Sequence, residues 1–391
     1  MKYTKLKYIN QYKSESINPA KTPDTIFEMY SVPIYETGHP EYLRGDEIAS
    51  NKTVVRKNDI LLCKINPRIN RVWVVSDESD KQNIASSEWI VIRNREYNSE
   101  FLAWYFRTPK FQKLMTSEVT GIGGSLTRAQ PKCVAEYPVP VIDRKRQDEI
   151  VDVLNKCKFI IDSRQKELLE LDNLIKARFV ELFGDPVANT MNWTVKKLKE
   201  LSIQINSGNT PKGGSENYVE EGITFFRSQN VWKDRLEMDD IVYIDAETHA
   251  SMKRSSLKHG DILMTKTGRI NTENSSLGRA AIYWGKDDMA NVNGHVYFIR
   301  LKPEINNRFV LRILVSNEYR DLIRNVCVGG IDKRQLNKDH IEDFPIICPP
   351  SDIVEEYVSL VEQVDKSKVA VQKALDETQL LFDSLMQQYF G

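Results

Sequence analysis

The chain has 391 residues, 41% of them hydrophobic, and its 55 lysines and arginines are balanced by 55 aspartates and glutamates. This length exceeds what one hydrophobic core usually serves, so we expect at least two domains. Zero net charge argues against a uniformly basic nucleic-acid binder, and no apolar stretch approaches the ~20 residues that cross a bilayer.

The N-terminal residues lack the apolar segment of a secretory signal. The five cysteines are scattered and form no CxxC pair, which indicates reduced thiols. The histidines form no HxxH or HExxH cluster, so no metal site is expected. Together these features predict a cytoplasmic protein without a membrane partner.

Residues 1–143 are typical of a first β-rich domain. Short apolar runs bounded by turn residues predict strands at 53–55, 59–62, 72–75 and 89–92. Two short helices are expected next, at 99–107 and 109–115. The pattern indicates an α+β domain with a mostly antiparallel core.

Two polar segments of this domain are candidates for ligand contact. One follows the strand at 59–62, and the other follows the glycines at 123 and 124. In DNA complexes, arginine and asparagine read base edges while lysine binds phosphate. An ordinary solvated turn is the alternative for each segment. The candidate residues are Lys64, Asn66, Arg68, Asn70, Arg71, Ser125, Thr127 and Arg128.

Residues 144–184 predict one long helix. Positions 147–183 contain neither glycine nor proline, and Gly184 with Pro186 ends the pattern. Apolar residues recur every seven positions, which is typical of a coiled-coil seam. The seam consists of Leu154, Ile161, Leu168, Ile175 and Leu182, with Cys157, Leu171, Leu174 and Phe179 in support.

Residues 185–350 are the expected counterpart of the first domain, with strands at 261–264 and 296–299 and helices at 307–316 and 318–324. A basic loop again follows the apolar strand, and a second polar turn follows a glycine pair. A third polar loop, around Thr210, occurs only here. The recurrence favours DNA contact over plain turns. The candidates are Thr210, Lys266, Thr267, Arg269, Asn271, Arg279, Lys333, Arg334 and Gln335.

Residues 351–391 repeat the first long helix, because 344–391 align without a gap on 137–184. The second seam consists of Val361, Val364, Val371, Leu375, Phe382, Leu385 and Tyr389. Packing of each helix on its own domain is the alternative to pairing. The shared register favours antiparallel pairing. The predicted fold class is α+β, with two pseudo-repeated β-rich globular domains separated by two long antiparallel coiled-coil helices.

An ordered set of motifs resembles the specificity (S) subunits of type I restriction-modification systems. The set includes SGNTP at 207–211, GITFFR at 222–227, GDILMT at 260–265 and ELFGDP at 181–186. Phe344-Pro345 with Pro349-Pro350 completes it. The first domain departs from the pattern, because it lacks the SGxTP loop and has Asn58 before its Asp59.

The resemblance implies two target-recognition domains, 1–143 and 185–350, that each read one half of a bipartite site in double-stranded DNA. It implies that the helices at 144–184 and 351–391 dock two methyltransferase (M) subunits, with restriction (R) subunits left open as further partners. No catalysis is expected in this chain. S-adenosylmethionine, ATP and Mg²⁺ are expected on partner subunits.

Two other functions stay open at this point. One is a coiled-coil scaffold that never touches DNA. The other is a self-contained nuclease whose carboxylates and lysines are dispersed among the many acidic and basic residues. The sequence contains no Walker motif and no methyl-donor glycine loop after a strand.

Overall fold

The computed structural model describes residues 2–76, 78–120, 127–272 and 274–391. The chain divides into two compact units. The first unit comprises Met1–Glu167 and Val371–Gly391, and the second comprises Leu168–Ala370. Each unit therefore contains a β-rich domain and a segment of both long helices.

The elements of the first part of the chain end with a long helix that continues into the second unit. In chain order they are β1 (Tyr3–Lys5), α1 (Leu6–Ile9), β2 (Ser16–Ile17), β3 (Ile26–Tyr30), β4 (Glu41–Arg44), β5 (Lys52–Val54), β6 (Ile60–Cys63), β7 (Val72–Val74), β8 (Gln82–Ala85), β9 (Trp89–Ile92), α2 (Ser99–Phe106), α3 (Pro109–Ser117), β10 (Val119–Thr120), β11 (Arg128–Ala129), α4 (Pro131–Val134), β12 (Pro138–Pro140) and α5 (Arg144–Phe183).

The remaining elements repeat this order with additions and end with the second long helix. They are β13 (Thr194–Lys197), α6 (Leu198–Leu201), β14 (Ser202–Ser207), β15 (Tyr218–Val219), β16 (Ile223–Phe226), β17 (Val242–Ile244), α7 (Ala246–Ser251), β18 (Ile262–Thr265), β19 (Thr267–Arg269), β20 (Ala280–Ile282), β21 (Ala290–Val292), β22 (Val296–Leu301), α8 (Asn307–Leu314), α9 (Asn317–Val326), β23 (Val328–Gly329), β24 (Lys333–Gln335), α10 (Lys338–Glu342), β25 (Pro345–Cys348) and α11 (Ser351–Phe390).

Each unit contains two main sheets and a short terminal pair. The first unit has the strand orders β2-β5-β8-β3-β4 and β7-β6-β9, and the second has β15-β17-β16-β21 and β14-β22-β18-β20. Among the strands of the described residues, all pairings are antiparallel except β3 with β8 and β16 with β21, which occupy corresponding places. The terminal pairs β1-β12 and β13-β25 correspond too. The mostly antiparallel core is thus as predicted.

A buried carboxylate anchors the central strand of each unit. Asp59 accepts two hydrogen bonds from the Arg93 guanidinium, at 2.7 and 2.6 Å. Asp261 accepts the same pair from Arg300, at 2.9 and 2.7 Å. Both carboxylates also cap a turn, since Asp59 accepts from the Arg56 amide and Asp261 from the Lys258 amide. The repeat therefore extends to the polar framework of the core.

The two long helices run antiparallel inside each unit. In the first unit, Arg146 near the start of α5 lies over the ring of Tyr389 near the end of α11. In the second unit, Arg178 near the end of α5 pairs with Glu356 near the start of α11, and Lys368 pairs with Asp172 at 2.6 Å. The predicted antiparallel pairing is confirmed within each unit.

The side chains of the predicted seams are largely buried. Leu154, Ile161, Ile175, Val364 and Val371 are buried, and the other heptad residues are at least half-buried. The prediction that Leu174 supports the seam was wrong, because its side chain is 47% exposed. That position lies one residue before the buried Ile175, so the helix turns it outward. Gly184, at φ +69°, ends α5 and donates its N–H to the Val180 carbonyl at 2.9 Å.

Within the described residues, no helix is both long enough and apolar enough to span a membrane.

Candidate nucleic-acid interface

In the second unit, the two glycine-linked segments predicted as loops form one sheet. β19 pairs antiparallel with β24, and β24 pairs with β23. The prediction of a loop after β18 was wrong, because Thr267–Arg269 is a strand. Gly268 permits the close approach, since a Cβ there would lie 2.3 Å from the Leu277 nitrogen. We call this three-stranded sheet the basic sheet.

The basic sheet brings most of the predicted side chains of this unit together. Arg269 is 68% exposed and pairs with Asp332 at 3.3 Å, and Lys333 beside it is also exposed. Gln335 donates to Asn337 at 3.3 Å, and the Lys266 ammonium lies 5.8 Å from the Tyr297 ring centroid. Exposed ion pairs are weak, so Arg269 is available to an anionic partner.

A polar cleft of about 600 Å³ adjoins the basic sheet. Arg334 lines it and donates to the Cys327 carbonyl at 3.4 Å. Its Nε is buried and has no hydrogen-bond partner among the described residues. Asn271 lines the cleft as well, beside two side chains that the sequence analysis missed, Arg324 and Asn325 on α9. The cleft therefore combines guanidinium donors with amides.

Further cations lie near this cleft. Arg320 donates to the Thr272 carbonyl at 3.4 Å. The pKa of Lys233 is lowered, first by burial and then by positive charge on Arg320, Lys176, Arg279 and Arg324. Most of these cations lie far apart in the sequence. Only Arg320 and Arg324, which have a helical spacing on α9, offered a local signal.

Arg279 is held by the protein rather than extended. Its guanidinium lies 3.9 Å from the Trp232 ring centroid and donates to the carbonyls of Ser275 and Asn274. Burial lowers its pKa, and positive charge on Arg320 adds to this effect. Arg279 is thus engaged in contacts within the protein. Thr210 lies exposed on the loop after β14, close to Gly294 in the turn before β22.

The first unit repeats this arrangement in a shorter form. Ile65 forms an isolated antiparallel bridge with Arg128. The Ala129 amide donates to the Lys64 carbonyl at 2.9 Å, and the Asn66 amide donates to the Thr127 carbonyl at 2.8 Å. The two predicted segments of this unit are therefore also adjacent. Ser125 lies outside the described residues.

The other candidates of the first unit differ in exposure. Arg68 is exposed, whereas Lys64, Asn66, Asn70 and Arg71 are half-buried. Asn70 donates to the Phe106 carbonyl at 3.3 Å, so its amide supports the loop. The Oδ1 of Asn66 is buried without a hydrogen-bond partner among the described residues, and Asn66 has a left-handed backbone at φ +47°.

A carboxylate distinguishes the edge of the first unit. Arg128 pairs with Glu88 at 3.3 Å, and the Lys64 amide donates to the Glu88 carbonyl at 3.0 Å. In the second unit, the Lys266 amide donates to the carbonyl of His295 at 2.8 Å. Glu88 and His295 therefore occupy equivalent turns, and only the first unit has an acidic side chain there.

Residues 191–378 match the family model of the type I restriction modification DNA specificity domain. This part of the chain is similar to that family of DNA specificity domains. The basic sheet, the polar cleft and α9 all lie inside the matched residues. The resemblance drawn from the sequence motifs is confirmed by this match.

One known protein is similar to part of this chain. Over 180 residues the chain is 24% identical to a protein of Haemophilus influenzae (strain ATCC 51907 / DSM 11121 / KW20 / Rd) whose name places it among type I restriction enzyme specificity subunits. The match covers 46% of this chain and 35% of the relative. The chain thus spans about a third of the length of the curated relative that it matches.

Two solved structures share the fold. The type I restriction-modification S subunit from M. genitalium is 14% identical, with a TM-score of 0.61 over 100% of this chain and 96% of that chain. A chain from a structure describing assembly and conformational transition of a type I system is 18% identical, with a TM-score of 0.57 over 100% and 97%. The predicted α+β fold class with two β-rich repeats and two long helices is confirmed.

Proposed function

We propose that this chain is the non-catalytic specificity subunit of a type I restriction-modification complex and recognises a bipartite site in double-stranded DNA. The match of residues 191–378 to the DNA specificity family carries this proposal. The target-recognition domains are residues 1–143 and 185–350, and each reads one half-site.

In the second half-site, the basic sheet lies against the edges of the bases. Arg269, Lys333 and Gln335 are the readers that we propose, because arginine and glutamine form paired hydrogen bonds with guanine and adenine. The cations around the cleft bind the phosphate backbone, which gives affinity without sequence information. Lys233, Arg320 and Arg324 are the proposed phosphate contacts.

In the first half-site, the shorter edge around Ile65 and Arg128 has the same role. Arg68 is the proposed base reader because it is exposed, and Lys64 and Arg71 are proposed phosphate contacts. Arg128 is restrained by Glu88, so its contribution depends on that ion pair. Thr127 and Asn66 stabilise this edge through the hydrogen bond from the Asn66 amide to the Thr127 carbonyl.

The long helices, residues 144–184 and 351–391, are the proposed docking elements for two methyltransferase subunits. The first unit exposes apolar side chains on both of them, Phe159 and Ile160 on α5 and Leu380 and Leu381 on α11. Phe159 is 72% exposed and borders a shallow cleft with Val151 and Lys156. Exposed apolar groups of this kind mark protein contacts.

Catalytic groups belong to the partners in this proposal. The methyltransferase subunits supply S-adenosylmethionine, and restriction subunits, as further partners, supply the ATP and Mg²⁺ sites. Among the described residues, no group of three or more histidine, cysteine or acidic side chains is placed to hold a metal ion.

Sequencing of methylated bases in the host tests the proposal. Deletion of the gene should abolish methylation at one bipartite motif and leave all other motifs intact. Exchange of residues 185–350 for those of another specificity subunit should change one half of that motif only. An unchanged methylation pattern in the deletion strain contradicts the proposal.

Two measurements separate the alternatives. A salt titration of DNA binding, with the methyltransferase partner present, should give a steep negative slope of log K against log salt, whereas a slope near zero favours a protein scaffold. Incubation of the purified chain alone with Mg²⁺ and DNA should give no cleavage. Cleavage by the chain alone favours the nuclease.

A further inference from the structure

The indole ring of Trp232, in the second unit, contacts two arginines. The guanidinium carbon of Arg279 lies 3.9 Å from the ring centroid, and that of Arg235 lies 5.6 Å from it. Both distances are within the ~6 Å over which an aromatic face attracts a cation. The indole N–H donates to the Gln229 carbonyl at 3.1 Å, which fixes the orientation of the ring.

A tight turn, residues 231–236, holds the ring in this place. Val231 at its start is fully buried in the hydrophobic core. Asp234 has a left-handed backbone at φ +60°, and its amide donates to the Ala280 carbonyl at 2.8 Å. Ala280 directly follows Arg279 in the chain. The ring and the guanidinium that it contacts are therefore anchored at neighbouring points of the backbone.

Arg279 in turn holds the segment that precedes it. Its Nε donates to the Ser275 carbonyl at 2.9 Å, and its Nη2 donates to the Asn274 carbonyl. The next residue, Ser276, donates its hydroxyl to the Thr267 carbonyl in β19 at 2.7 Å. The segment therefore lies against the basic sheet, and the Arg279 guanidinium fixes its backbone there.

The aromatic contact holds Arg279 without cancelling its charge. Its observed partners are an indole ring and two carbonyl oxygens, all neutral, and no carboxylate of a described residue forms an ion pair with it. Arg128 in the first unit differs, because the Glu88 carboxylate pairs with it. Arg320, a proposed phosphate contact, donates to the Thr272 carbonyl at 3.4 Å. Two guanidiniums thus hold one stretch of backbone, and both stay positive.

We propose that Trp232 is a positioning residue of the second target-recognition domain. Its ring clamps Arg279, and Arg279 sets the place of residues 274–276 on the basic sheet while the interface keeps its positive charge. This inference rests on the DNA recognition proposed above. Because the clamp lies within the second unit, it should affect only the half-site that residues 185–350 read.

Hydrogen exchange of the full chain tests the clamp without DNA. Trp232→Leu keeps an apolar side chain but has no aromatic face, so exchange at residues 274–280 should become about tenfold faster. Trp232→Phe keeps an aromatic face and should stay within about threefold of the wild type. Trp284→Leu is the matched control, because Trp284 contacts Arg308 at 4.9 Å, outside the basic sheet. Equal exchange in the two Trp232 variants overturns the proposal.

DNA binding with the methyltransferase partner present tests the consequence. Trp232→Leu should bind the bipartite site about tenfold more weakly and relax base choice in one half-site, and Trp232→Phe should restore both. Arg279→Lys keeps the charge but loses the fork that engages two carbonyls, so it should behave like Trp232→Leu.

The outcomes separate this inference from the function on which it rests. If the wild-type complex does not recognise a bipartite site, the proposed function is wrong, and hydrogen exchange still decides whether the clamp exists. If the wild type recognises the site and Trp232→Leu binds as Trp232→Phe does, the positioning role is wrong. Wild-type binding by Arg279→Lys overturns it as well.

Discussion

The two units share a framework but differ at the edge that we assign to DNA. In the first unit the Lys64 amide donates to the Glu88 carbonyl. In the second unit the Lys266 amide donates to the His295 carbonyl, which lies in an equivalent turn. Glu88 also neutralises Arg128, whereas the second unit has no carboxylate in that turn. The backbone arrangement is therefore conserved between the repeats while the charge it presents is not.

The framework itself is repeated in detail. Asp59 with Arg93 and Asp261 with Arg300 form the same two-hydrogen-bond pair, and each carboxylate lies directly before a central strand. The helices α3 and α9 also correspond at their N-termini. The Thr108 hydroxyl accepts a hydrogen bond from the Phe111 amide, and the Ser316 hydroxyl accepts one from the Tyr319 amide. The two units therefore share the contacts of their cores, whereas the charged side chains at the edge differ between them.

The largest effect is expected from breaking these anchors. Arg93→Met and Arg300→Met each leave a buried carboxylate unpaired, which should cost about 3 kcal/mol of unfolding free energy. Urea denaturation followed by hydrogen exchange should show the loss in the unit that carries the substitution. Arg56→Met removes an exposed pair with Glu15 and should cost less than about 1 kcal/mol. If the two anchor variants behaved differently, the anchors would not be equivalent.

The proposed base readers should act on one half-site each. Arg269→Ala should cost about 2 kcal/mol of discrimination in one half of the DNA site, and Arg68→Ala should do the same in the other half. Selection from DNA libraries with either half randomised, with the methyltransferase partner bound, measures this loss. Equal weakening on every sequence would instead make Arg269 a phosphate contact.

The carboxylate difference can be removed by one substitution. Glu88→Gln releases Arg128 and removes a negative charge facing DNA, so binding should become about tenfold tighter. His295→Gln in the equivalent turn is the matched control and should change affinity little. Fluorescence anisotropy at several salt concentrations measures both. Unchanged binding of Glu88→Gln would place Arg128 away from the DNA.

The smallest effect is expected on α9. By the shared cap register, Arg320 and Arg324 correspond to Gln112 and Thr116 on α3. Arg324→Gln should make the salt slope of log K shallower by about 0.9, the value for one phosphate contact, and Thr116→Arg should steepen it by a similar amount. A slope that Arg324→Gln leaves unchanged would remove α9 from the interface.

Local patterns were enough to predict much of the fold. The seven-residue spacing predicted both long helices and their antiparallel pairing, and the repeated Asp-Ile-Leu run predicted the central strands β6 and β18. The prediction of the seam residues was wrong only at Leu174, an apolar residue next to a seam position that was counted as part of the seam. Such a residue is indistinguishable from a buried one without knowledge of the helix's neighbours.

The interface was only partly accessible from the sequence. The basic segments were identified by composition and recurrence, but the pairing of Thr267 with Gln335 joins residues far apart in the chain, and no local signal sets that register. Arg320 and Arg324 were missed because only the folded unit brings α9 beside Asn271 and Thr272. The roles of the individual side chains stay predictions.

Phe390 is buried in the first unit, where its ring contacts Phe101 and Tyr105. The ribosome makes Phe101 long before Phe390, so the nascent first unit can complete this aromatic cluster only after residue 390 has been made. The second unit, whose residues are contiguous, has no such delay. We therefore expect the later-made second unit to complete its contacts first, and premature termination after Ala370 to leave the earlier-made unit unfinished.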